Sequence, residues 1–580
     1  MILPSIVNIA QICACHAVKH IVLSPGSRCA PLTLAFVRHP EIVTRTISDE
    51  RSAAFIALGM ARQLRQPVGL VCTSGSAAYN YAPAIAESYF QQIPLIVFTA
   101  DRPPEWTDQL DGQTIRQHNI YGQHVKKSYE FPTEQNHPDV LWHAARIVAE
   151  AINLSTTYPY GPVHINVPIR EPFYPEKDEM IVFDEKIKVI RKTEGKLSLS
   201  SEVIDQLKQQ WNTFQRKIIV CGQYVLHPKV SSSLERVSQN QQIPVVADII
   251  SNQHAVNTAI KHADTILAQK DEVLLQNLQP DLLITFGLSV ISKNLKTFLR
   301  RYRTKAHWHI QPAGEVADTF QVLTQIIRTD PVTFFDLASE FSVNAVQQED
   351  YFQTWQEEAQ KAENFIQIFF KKSEILSQPG EFLAVQWVME HLPDHLNLHL
   401  ANSMAVRYAN LIGLYLHQKD VEVFANRGTS GIDGSNSTAV GSALASDKLA
   451  VLITGDMAFF YDRNAFWHNY PLPNLRIVLL NNHAGGIFRI IDGPNRQPEL
   501  EEYFETRQML NAESTARDFQ MEYHHCDLTK PKGLDELKLI LASFFKKSEK
   551  AKLLEITSDS KTNQQIFIQY KNLIKQGYGA

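Results

Sequence analysis

Two polar positions in the last third of the chain have residue types that suit a divalent cation. AVLITGD ends at Asp456 and RIVLLNN ends at Asn482, so a carboxylate and an amide each follow an apolar run. Because neighbouring parallel strands end at the same edge of a sheet, the two side chains could lie together there. One charged and one neutral oxygen ligand suit Mg²⁺ that is shared with ligand phosphates. The same letters also fit two ordinary turns, since Gly, Asn and Asp all favour turns.

A glycine-rich stretch, NRGTSGIDGSNSTAVGS (426–442), lies between an apolar run and a helical pattern. Glycine permits a close approach of the backbone to a phosphate-bearing ligand. The position inside a strand–helix unit favours that role over a flexible linker. The chain contains neither G-x-G-x-x-G nor G-x-x-x-x-G-K-[ST], which excludes a dinucleotide fingerprint and a P-loop nucleotidase.

The first part of the chain has its own polar positions after apolar runs. SPGSR (24–28) forces a turn that presents Ser27 and Arg28. DERSAAFIALGMAR follows, with Asp49 as a helix N-cap and Glu50 in the first turn of an amphipathic helix. Glu50 could simply complement the helix dipole, as most first-turn glutamates do.

Short β-branched runs recur along the whole chain, and most are followed by a polar turn and a helical pattern. Most runs are apolar throughout, which is typical of strands buried on both faces of a parallel sheet. Alternation of strands and helices over the whole length predicts an α/β fold of doubly wound parallel sheets. The runs are 20–27, 68–76, 94–104, 163–168, 217–222, 244–248, 281–287, 307–312, 396–403, 421–428, 450–456, 476–482 and 553–558.

Two polar stretches divide this pattern into three units. Residues 172–196 are charged and proline-bearing, and residues 344–380 are polar with a helical pattern. Three α/β units of ordinary size fit a chain of 580 residues. The predicted domains are residues 1–180, 190–345 and 370–580.

The composition excludes several classes of protein. Hydrophobic residues make up 44% of the chain and charged residues 20%, which is typical of a folded protein rather than a disordered one. A net charge of −5 argues against nucleic acid or an anionic membrane surface as a partner. Six scattered cysteines without zinc-finger spacing predict reduced thiols and a cytoplasmic protein. No apolar run is long enough to predict a membrane span, and no signal peptide is predicted.

The spacing from Asp456 to Asn482 resembles the metal–diphosphate motif of thiamine diphosphate-dependent enzymes. Glu50 stands where that superfamily carries the glutamate that touches the aminopyrimidine ring. Within it, the chain resembles the synthases of menaquinone biosynthesis that make 2-succinyl-5-enolpyruvyl-6-hydroxy-3-cyclohexene-1-carboxylate. The resemblance covers residues 4 to about 488 and is weakest in the middle; its motifs are SPGSR-x-APLTLAF, DERSAAFIALGMAR, TSGSAAYNYAPAIAES, TADRPPE, IRQ, NRGTSGIDG and GDM-x-FFYDRNA. It implies a pyrimidine-binding, a central and a diphosphate-binding domain, in that order.

This resemblance implies a reaction with two substrates. 2-Oxoglutarate loses CO₂, and the remaining succinyl-semialdehyde carbanion equivalent adds in a 1,4 sense to isochorismate, with the cofactor carrying the difficult electronics. Another thiamine diphosphate-dependent enzyme, such as an acetohydroxyacid synthase or a simple 2-oxoacid decarboxylase, is the nearest alternative. A non-catalytic protein that keeps the fold is a second alternative, against which Glu50, Asp456 and Asn482 together argue.

By resemblance, Glu50 donates to N1′ of the pyrimidine ring of thiamine diphosphate, and Ile432 is the wedge that bends the cofactor. A glutamate can do this near a dry apolar surface, because burial raises its pKa. Asp456, Asn482 and the backbone carbonyl of Ala484 are the implied ligands of Mg²⁺, which Mn²⁺ could replace. The implied cofactor-binding residues are Glu50, Asn402, Ser403, Ile432, Gly455, Asp456, Ile487 and Phe488.

Both implied substrates are dianions, so the site needs matched cations, and arginine can pair with carboxylates bidentately. Each cation alone could equally be a surface ion-pair partner. Asn294 stands where relatives often have a second basic residue after Lys293, and Lys296 could replace it. The implied substrate-binding residues are Ser27, Arg28, Arg102, Gln113, Lys293, Ser403, Arg407 and Arg427. The implied catalytic residues are Glu50, Arg28, Gln113, Arg407, Arg427 and Ile432.

The resemblance also implies a homo-oligomer, a dimer or a tetramer, in which Glu50 and Asp456 of different subunits form one active site. The GD motif continues as Met457–Ala458, where relatives commonly have a Ser or Thr. Backbone N–H groups rather than a hydroxyl would then meet the diphosphate. NNHAGG (481–486) likewise differs from the NNNGG form of the family. The central domain lacks a dinucleotide fingerprint, so neither FAD nor NAD is expected there.

Overall fold

Three separate parallel sheets organise the chain. The computed structural model describes residues 3–134, 137–171, 174–176, 179–195, 197–341 and 345–578. Each sheet has six strands, and every strand pair in it is parallel. Helices flank the sheets, which confirms the predicted class of doubly wound α/β units. The three domain boundaries stay predictions.

The first sheet contains β1 to β6, numbered in chain order, and across the sheet they lie in the order β2-β1-β3-β4-β6-β5. Its central strands are buried along their whole length, as the continuous apolar runs predict. The strands are β1 His20–Leu23, β2 Val43–Thr46, β3 Val68–Cys72, β4 Leu95–Asp101, β5 Ser128–Glu130 and β6 Val163–Pro168. The helices are α1 Pro4–Cys15, α2 Ala30–Val37, α3 Glu50–Leu64, α4 Ser76–Asn80, α5 Ala82–Phe90 and α6 Pro138–Ser155.

The second sheet has the order β12-β11-β10-β7-β8-β9. Its strands are β7 Lys217–Cys221, β8 Val245–Ala247, β9 Ala259–Ile260, β10 Leu282–Phe286, β11 Ala306–Ile310 and β12 Gln325–Ile327. Its helices are α7 Ser201–Trp211, α8 Pro228–Gln241, α9 Ala263–Ile266, α10 Glu272–Asn277, α11 Lys293–Arg301 and α12 Pro331–Ala338. A long helix, α13 Ala345–Phe370, and the short α14 Ser373–Ser377 then lead to the third unit.

The third sheet has the order β14-β13-β15-β16-β18-β17. Its strands are β13 Leu396–Leu400, β14 Val421–Phe424, β15 Leu449–Gly455, β16 Leu475–Asn481, β17 Glu522–Asp527 and β18 Lys552–Thr557. Its helices are α15 Glu381–His391, α16 Met404–Ile412, α17 Ser435–Ala445, α18 Asp456–Tyr461, α19 Ile487–Ile490, α20 Glu513–Asp518, α21 Gly533–Phe544 and α22 Ser560–Lys575.

Each apolar run that predicted a strand contains one. The strands that the sequence pattern did not reveal are β2, β5, β9, β12 and β17, and all of them lie at sheet edges. Their side chains are only partly buried, so they lack the continuous apolar run of a central strand.

The first and third units share one hydrophobic core. Residues between 22 and 125 pack in the same cluster as residues between 439 and 553. At its centre α3 crosses α17 so closely that a Cβ on Gly59 would come within 2.1 Å of the Thr438 carbonyl oxygen. A Cβ on Gly441 would come equally close, 2.1 Å, to the carbonyl oxygen of Ile56. Glycine at both positions therefore allows direct contact between the two helix backbones.

All six cysteines are free thiols. Among the helices of the described ranges, none combines the length and the apolarity that crossing a bilayer requires.

Candidate active site

The carboxyl ends of three neighbouring strands in the third sheet carry the predicted metal and cofactor residues. β13 is followed by Asn402 and Ser403, β15 ends at Gly455 just before Asp456, and β16 is followed by Asn482. The order β13-β15-β16 places these ends side by side. Adjacent parallel strands before Asp456 and Asn482, as the sequence predicts, are therefore confirmed.

Asp456 is buried at this edge, and its carboxylate accepts three hydrogen bonds. The N–H of Met457 donates to Oδ1 over 2.7 Å. The N–H of Ala484 and the side-chain amide of Gln508 each donate to Oδ2 over 2.9 Å. Burial raises the pKa of Asp456 to about 6, although these hydrogen bonds oppose that rise. A cation at this edge would favour the ionised carboxylate.

Asn482 presents an oxygen atom that has no hydrogen-bond partner. Its Nδ2 donates to Oε1 of Glu381 over 2.7 Å, whereas Oδ1 is buried and unpaired among the residues that the structure describes. Burial raises the pKa of Glu381 to about 7, and the charge of Asp456 adds to this rise. Because buried polar atoms are normally paired, Oδ1 is a candidate ligand for a cation.

The turn after Asn482 brings backbone groups toward Asp456. His483 has a φ of +57°, a left-handed conformation that His tolerates better than most residues. The carbonyl of Ala484 accepts a hydrogen bond from the N–H of Gly486 over 2.8 Å. A carbonyl oxygen has two lone pairs, so the Ala484 oxygen can accept one further partner.

Ile487 and Phe488 begin α19, directly beyond this turn. Ile487 packs against the core of the third unit, and the ring centroid of Phe488 lies 5.9 Å from that of Phe504. Arg489 in the same helix is buried and forms an ion pair with the fully buried Glu505. This ion pair anchors the helix and keeps the two apolar side chains next to the Asn482 turn.

Ser403 has a strained backbone, with φ +76° and ψ −129°. Strain of this kind costs about 1–3 kcal/mol and clusters at functional sites. The Ser403 carbonyl accepts a hydrogen bond from Arg407 over 2.5 Å. The amide of Asn402 donates to the carbonyls of Asn426 and Gly431 over 2.7 Å each, which ties the strand end to the glycine-rich loop.

The glycine-rich loop is held from the first unit by Glu87. This carboxylate is fully buried and accepts hydrogen bonds from the N–H of Gly428 over 2.8 Å and from the N–H of Thr429 over 2.6 Å. The Thr429 hydroxyl also donates to it over 2.6 Å. Ile432, further along the loop, is 38% exposed. The loop is therefore held at Gly428, Thr429 and Gly431, and it presents the apolar side chain of Ile432.

Three cations from two units lie close together beside the loop. Arg427 donates to Oδ1 of Asn402 over 2.7 Å. Burial and the charge of Arg427 lower the pKa of Arg407. Burial and the charges of Arg427 and Arg407 likewise lower the pKa of Lys296 in α11. Lys293 begins the same helix and is exposed. Like charges held together in a partly buried place indicate a site for an anion.

A second group of predicted residues lies at the carboxyl ends of the first sheet. Arg28 is buried, and its guanidinium donates to the carbonyl of Ile169 over 2.9 Å. Arg102 forms an ion pair with Asp111 over 3.3 Å. Ser27 and Gln113 are exposed. Ser27 and Arg28 follow β1, Arg102 follows β4, and a Cβ on Gly75, after β3, would lie 3.4 Å from the Cα of Gln113.

Glu50 is the first residue of α3, which docks on the third unit. Asp49 caps the helix, as the sequence predicts: Oδ1 accepts from the N–H of Ser52 over 2.9 Å, and Oδ2 accepts from Asn464 over 2.8 Å. Glu50 is half-buried, and its carboxylate forms no hydrogen bond or ion pair with any residue in the described ranges. Within one chain, no such contact joins Glu50 to Asp456.

Three residues at the site were not found by sequence reasoning. Glu381 directly follows the SQPG turn and has the position of an ordinary first-turn acid. Glu87 interrupts the small and apolar helix APAIAESYF, which was an available signal for a buried carboxylate. Gln508 lies in an irregular stretch whose sequence has no pattern.

Comparisons with known proteins agree with this architecture. Residues 8–124 match the family model of the thiamine pyrophosphate enzyme N-terminal TPP binding domain, and residues 192–400 match the middle domain of thiamine pyrophosphate enzymes. The chain is 46% identical to the 2-succinyl-5-enolpyruvyl-6-hydroxy-3-cyclohexene-1-carboxylate synthase of Cytophaga hutchinsonii over 99% of both chains. It is 38% identical to the protein of the same name from Flavobacterium psychrophilum, over 98% of this chain and 99% of that one. The corresponding protein of Desulfotalea psychrophila is 36% identical, over 91% of this chain and 94% of that one.

Proposed function

Because the chain belongs to the family of 2-succinyl-5-enolpyruvyl-6-hydroxy-3-cyclohexene-1-carboxylate synthases, we propose that it catalyses the addition of 2-oxoglutarate, after loss of CO₂, to isochorismate. It is a thiamine diphosphate-dependent enzyme that forms a carbon–carbon bond in menaquinone biosynthesis. The observation that supports the assignment of the site most directly is that Oδ1 of Asn482 has no hydrogen-bond partner in the described part of the chain, at the strand end next to that of the buried Asp456.

The edge of the third sheet fits a divalent cation that binds a diphosphate. Asp456, Asn482 and the carbonyl of Ala484 offer oxygen ligands, which Mg²⁺ and Mn²⁺ prefer. A Cβ on Gly455 would meet no other atom within 4 Å, so there is room for a phosphate above this strand end. When bound, thiamine diphosphate supplies the electron sink that decarboxylation requires. The residues proposed to line its site are Asn402, Ser403, Gly455, Ile487 and Phe488.

Glu50 holds the proton that is shared with N1′ of the pyrimidine ring. Its half-buried carboxylate has no hydrogen-bond partner among the described residues, so it remains available for a ligand. Ile432 presents an apolar side chain on the glycine-rich loop, in agreement with a wedge role.

The dianionic substrates are bound by cations from all three units. Nε of Arg427 is buried and lacks a partner among the residues described, so it can donate to a substrate carboxylate. Arg407 and Lys296 lie beside it, and the first unit contributes Arg28 and Arg102. The remaining proposed substrate contacts are Ser27, Gln113, Lys293 and Ser403, and the proposed catalytic residues are Glu50, Arg28, Gln113, Arg407, Arg427 and Ile432.

The active site combines Glu50 of one subunit with Asp456 of another. In the single chain these two residues have no contact, and Met509, which follows the Asp456 partner Gln508, is 86% exposed. A symmetric homo-oligomer would bring the two groups together and cover such side chains. A dimer is the smallest assembly that does so. Free cysteines throughout the chain support a reducing compartment, the cytoplasm.

The reaction is tested with purified protein, thiamine diphosphate, Mg²⁺, 2-oxoglutarate and isochorismate. Release of CO₂ that depends on isochorismate, with the expected product in the mass spectrum, supports the proposal. Equal release without isochorismate would instead indicate a simple 2-oxoacid decarboxylase. Condensation of pyruvate without isochorismate would indicate an acetohydroxyacid synthase.

The role of Glu50 is tested by Glu50→Gln, which should lower kcat by about 10²–10⁴-fold, because a general acid is lost. Binding of metal and diphosphate should be nearly unchanged, since Glu50 lies far from those ligands in sequence and on another unit. Glu41→Gln, an exposed change in the same unit, is the control and should retain wild-type turnover.

The shared active site is tested by co-expressing Glu50→Gln and Asp456→Asn chains under two affinity tags. A mixed dimer then has one site with both changes and one site with neither, so the purified heterodimer should recover turnover. Sites formed within single chains would leave every site damaged, and an inactive heterodimer would refute the arrangement.

A further inference from the structure

Glu381, the first residue of α15, has a set of contacts that the proposed reaction leaves unexplained. Its side chain is 2% exposed, and Oε1 accepts from Nδ2 of Asn482 over 2.7 Å and from the hydroxyl of Ser558 over 3.2 Å. Its N–H donates to Oδ1 of Asn563 over 2.9 Å. Nδ2 of Asn563 donates in turn to the Ser558 hydroxyl over 3.1 Å. Glu381 is therefore fixed through both its backbone and its side chain.

We propose that Glu381 is a positioning residue, which turns the Asn482 amide so that its oxygen and not its nitrogen faces the metal. The two ends of a primary amide have nearly the same shape, and hydrogen-bonding neighbours decide which way it points. In the structure Oε1 of Glu381 accepts from Nδ2 of Asn482 over 2.7 Å. This contact holds the NH₂ end of the amide and leaves Oδ1 for the cation.

A simpler role for Glu381 would be to complement the dipole of α15 from solvent. Its burial argues against that role, because a carboxylate removed from water is costly unless other groups compensate it. The compensating groups come from distant parts of the chain, and Asn482 is 101 residues away in sequence. These partners fit a carboxylate that orients Asn482, which is a proposed metal ligand.

This inference rests on the proposed metal site, so the test measures metal binding as well as turnover. Mn²⁺ is titrated into the protein at saturating thiamine diphosphate, and free Mn²⁺ is followed by electron paramagnetic resonance. Glu381→Leu should raise the Kd for Mn²⁺ about 10–100-fold, as removal of groups that orient metal ligands does in other sites. At saturating Mn²⁺ its kcat should approach the wild-type value, because the chemistry of the substrates is not touched.

Two further variants separate this role from a loss of folding. Glu381→Gln keeps the shape and can still accept from Asn482, so its Kd should rise less than that of Glu381→Leu. If Glu381→Leu does not fold, the Kd of Glu381→Gln for Mn²⁺ is the measurement that tests the inference. Glu390→Gln, on the exposed face at the other end of α15, is the matched control and should bind Mn²⁺ like the wild type.

A double-mutant cycle with Asn482→Ala decides whether Glu381 acts through Asn482. In the Asn482→Ala background, a change at Glu381 should alter the Kd less than twofold, since the oriented group is gone. Wild-type Mn²⁺ affinity in both Glu381 variants, or an equal effect in the two backgrounds, would overturn the inference alone. Failure of the wild-type protein to bind Mn²⁺ with thiamine diphosphate would overturn the proposed metal site, and the inference with it.

Discussion

Gly59→Ala gives a sharp test of the contact between the first and third units. In a helix interior this substitution normally stabilises by about 1 kcal/mol, because alanine has the higher helix propensity. At Gly59 we expect the opposite sign. The added Cβ would come within 2.1 Å of the carbonyl oxygen of Thr438 in α17, and this oxygen belongs to a backbone that cannot rotate away.

The size of the effect follows from this distance. Ordinary contacts of a Cβ begin at 3.4 Å, so α3 and α17 must separate by about 1 Å, which a close-packed core resists. Overpacking of this kind costs about 1–3 kcal/mol, and separation also loosens the shared core, so the loss exceeds the gain in helix propensity. The N-terminus of α3 carries Glu50, so kcat should fall together with stability.

The assay compares thermal melting and turnover of Gly59→Ala with those of Gly195→Ala, whose Cβ would meet nothing within 4 Å. Gly59→Ala should melt several degrees below the wild type, and Gly195→Ala should not. Gly441→Ala should lower the melting temperature less in the Gly59→Ala protein than in the wild type, because Gly59→Ala has already separated the helices. A Gly59→Ala protein that melts at or above the wild-type temperature would refute the close crossing of the two helices.

Two further predictions concern charge. Lys296→Met should raise the KM of the dianionic substrates about tenfold, which corresponds to a loss of binding free energy near 1.4 kcal/mol. Lys293→Met should raise it less, because Lys293 is exposed whereas the charge of Arg427 acts on Lys296. Equal effects of the two substitutions in steady-state kinetics would contradict this. Burial raises the pKa of Asp462 from 3.8 to about 7, so its contribution to stability is present below pH 4 and is lost as the pH rises through 7. Relative to the wild type, Asp462→Asn should therefore gain about 1.4 kcal/mol of unfolding free energy per pH unit between pH 5 and 7, and melting curves with a constant difference would disprove it.

The sequence predicts the centre of each sheet and misses most of the edges. Central strands are covered by helices on both faces, so their residues form continuous apolar runs. β2, β5, β9, β12 and β17 have a neighbour on one side only, and their exposed positions accept polar residues. β14 is the edge strand that was predicted, and it is buried along its whole length.

The candidate site divides in a similar way. The adjacent strand ends before Asp456 and Asn482 could be predicted, because residue type and strand position are both local features of the sequence. Glu381 and Glu87 could not, because their partners lie far away in sequence, and Thr429 for example is 342 residues from Glu87. A lone glutamate in an apolar helix indicates that a partner exists, but only the packed structure identifies it. Lys296 could be named as a replacement for Asn294, and the structure adds that it lies beside Arg427.

The shared core of the first and third units has a consequence for synthesis of the chain on the ribosome. Gln63 in α3 and Ser442 in α17 are hydrogen-bonded partners at the crossing, yet they are 379 residues apart in sequence. At about 5–20 residues per second, roughly 20–80 s pass before the ribosome delivers the second helix to the first. During that time the newly made α3 waits without its partner. Beside Gly59, the face that meets α17 and its N-cap includes Phe55, Ile56 and Met60, which belong to the shared core. This apolar face therefore stays uncovered until the second helix has been made, and the incomplete chain is most prone to aggregation during that interval.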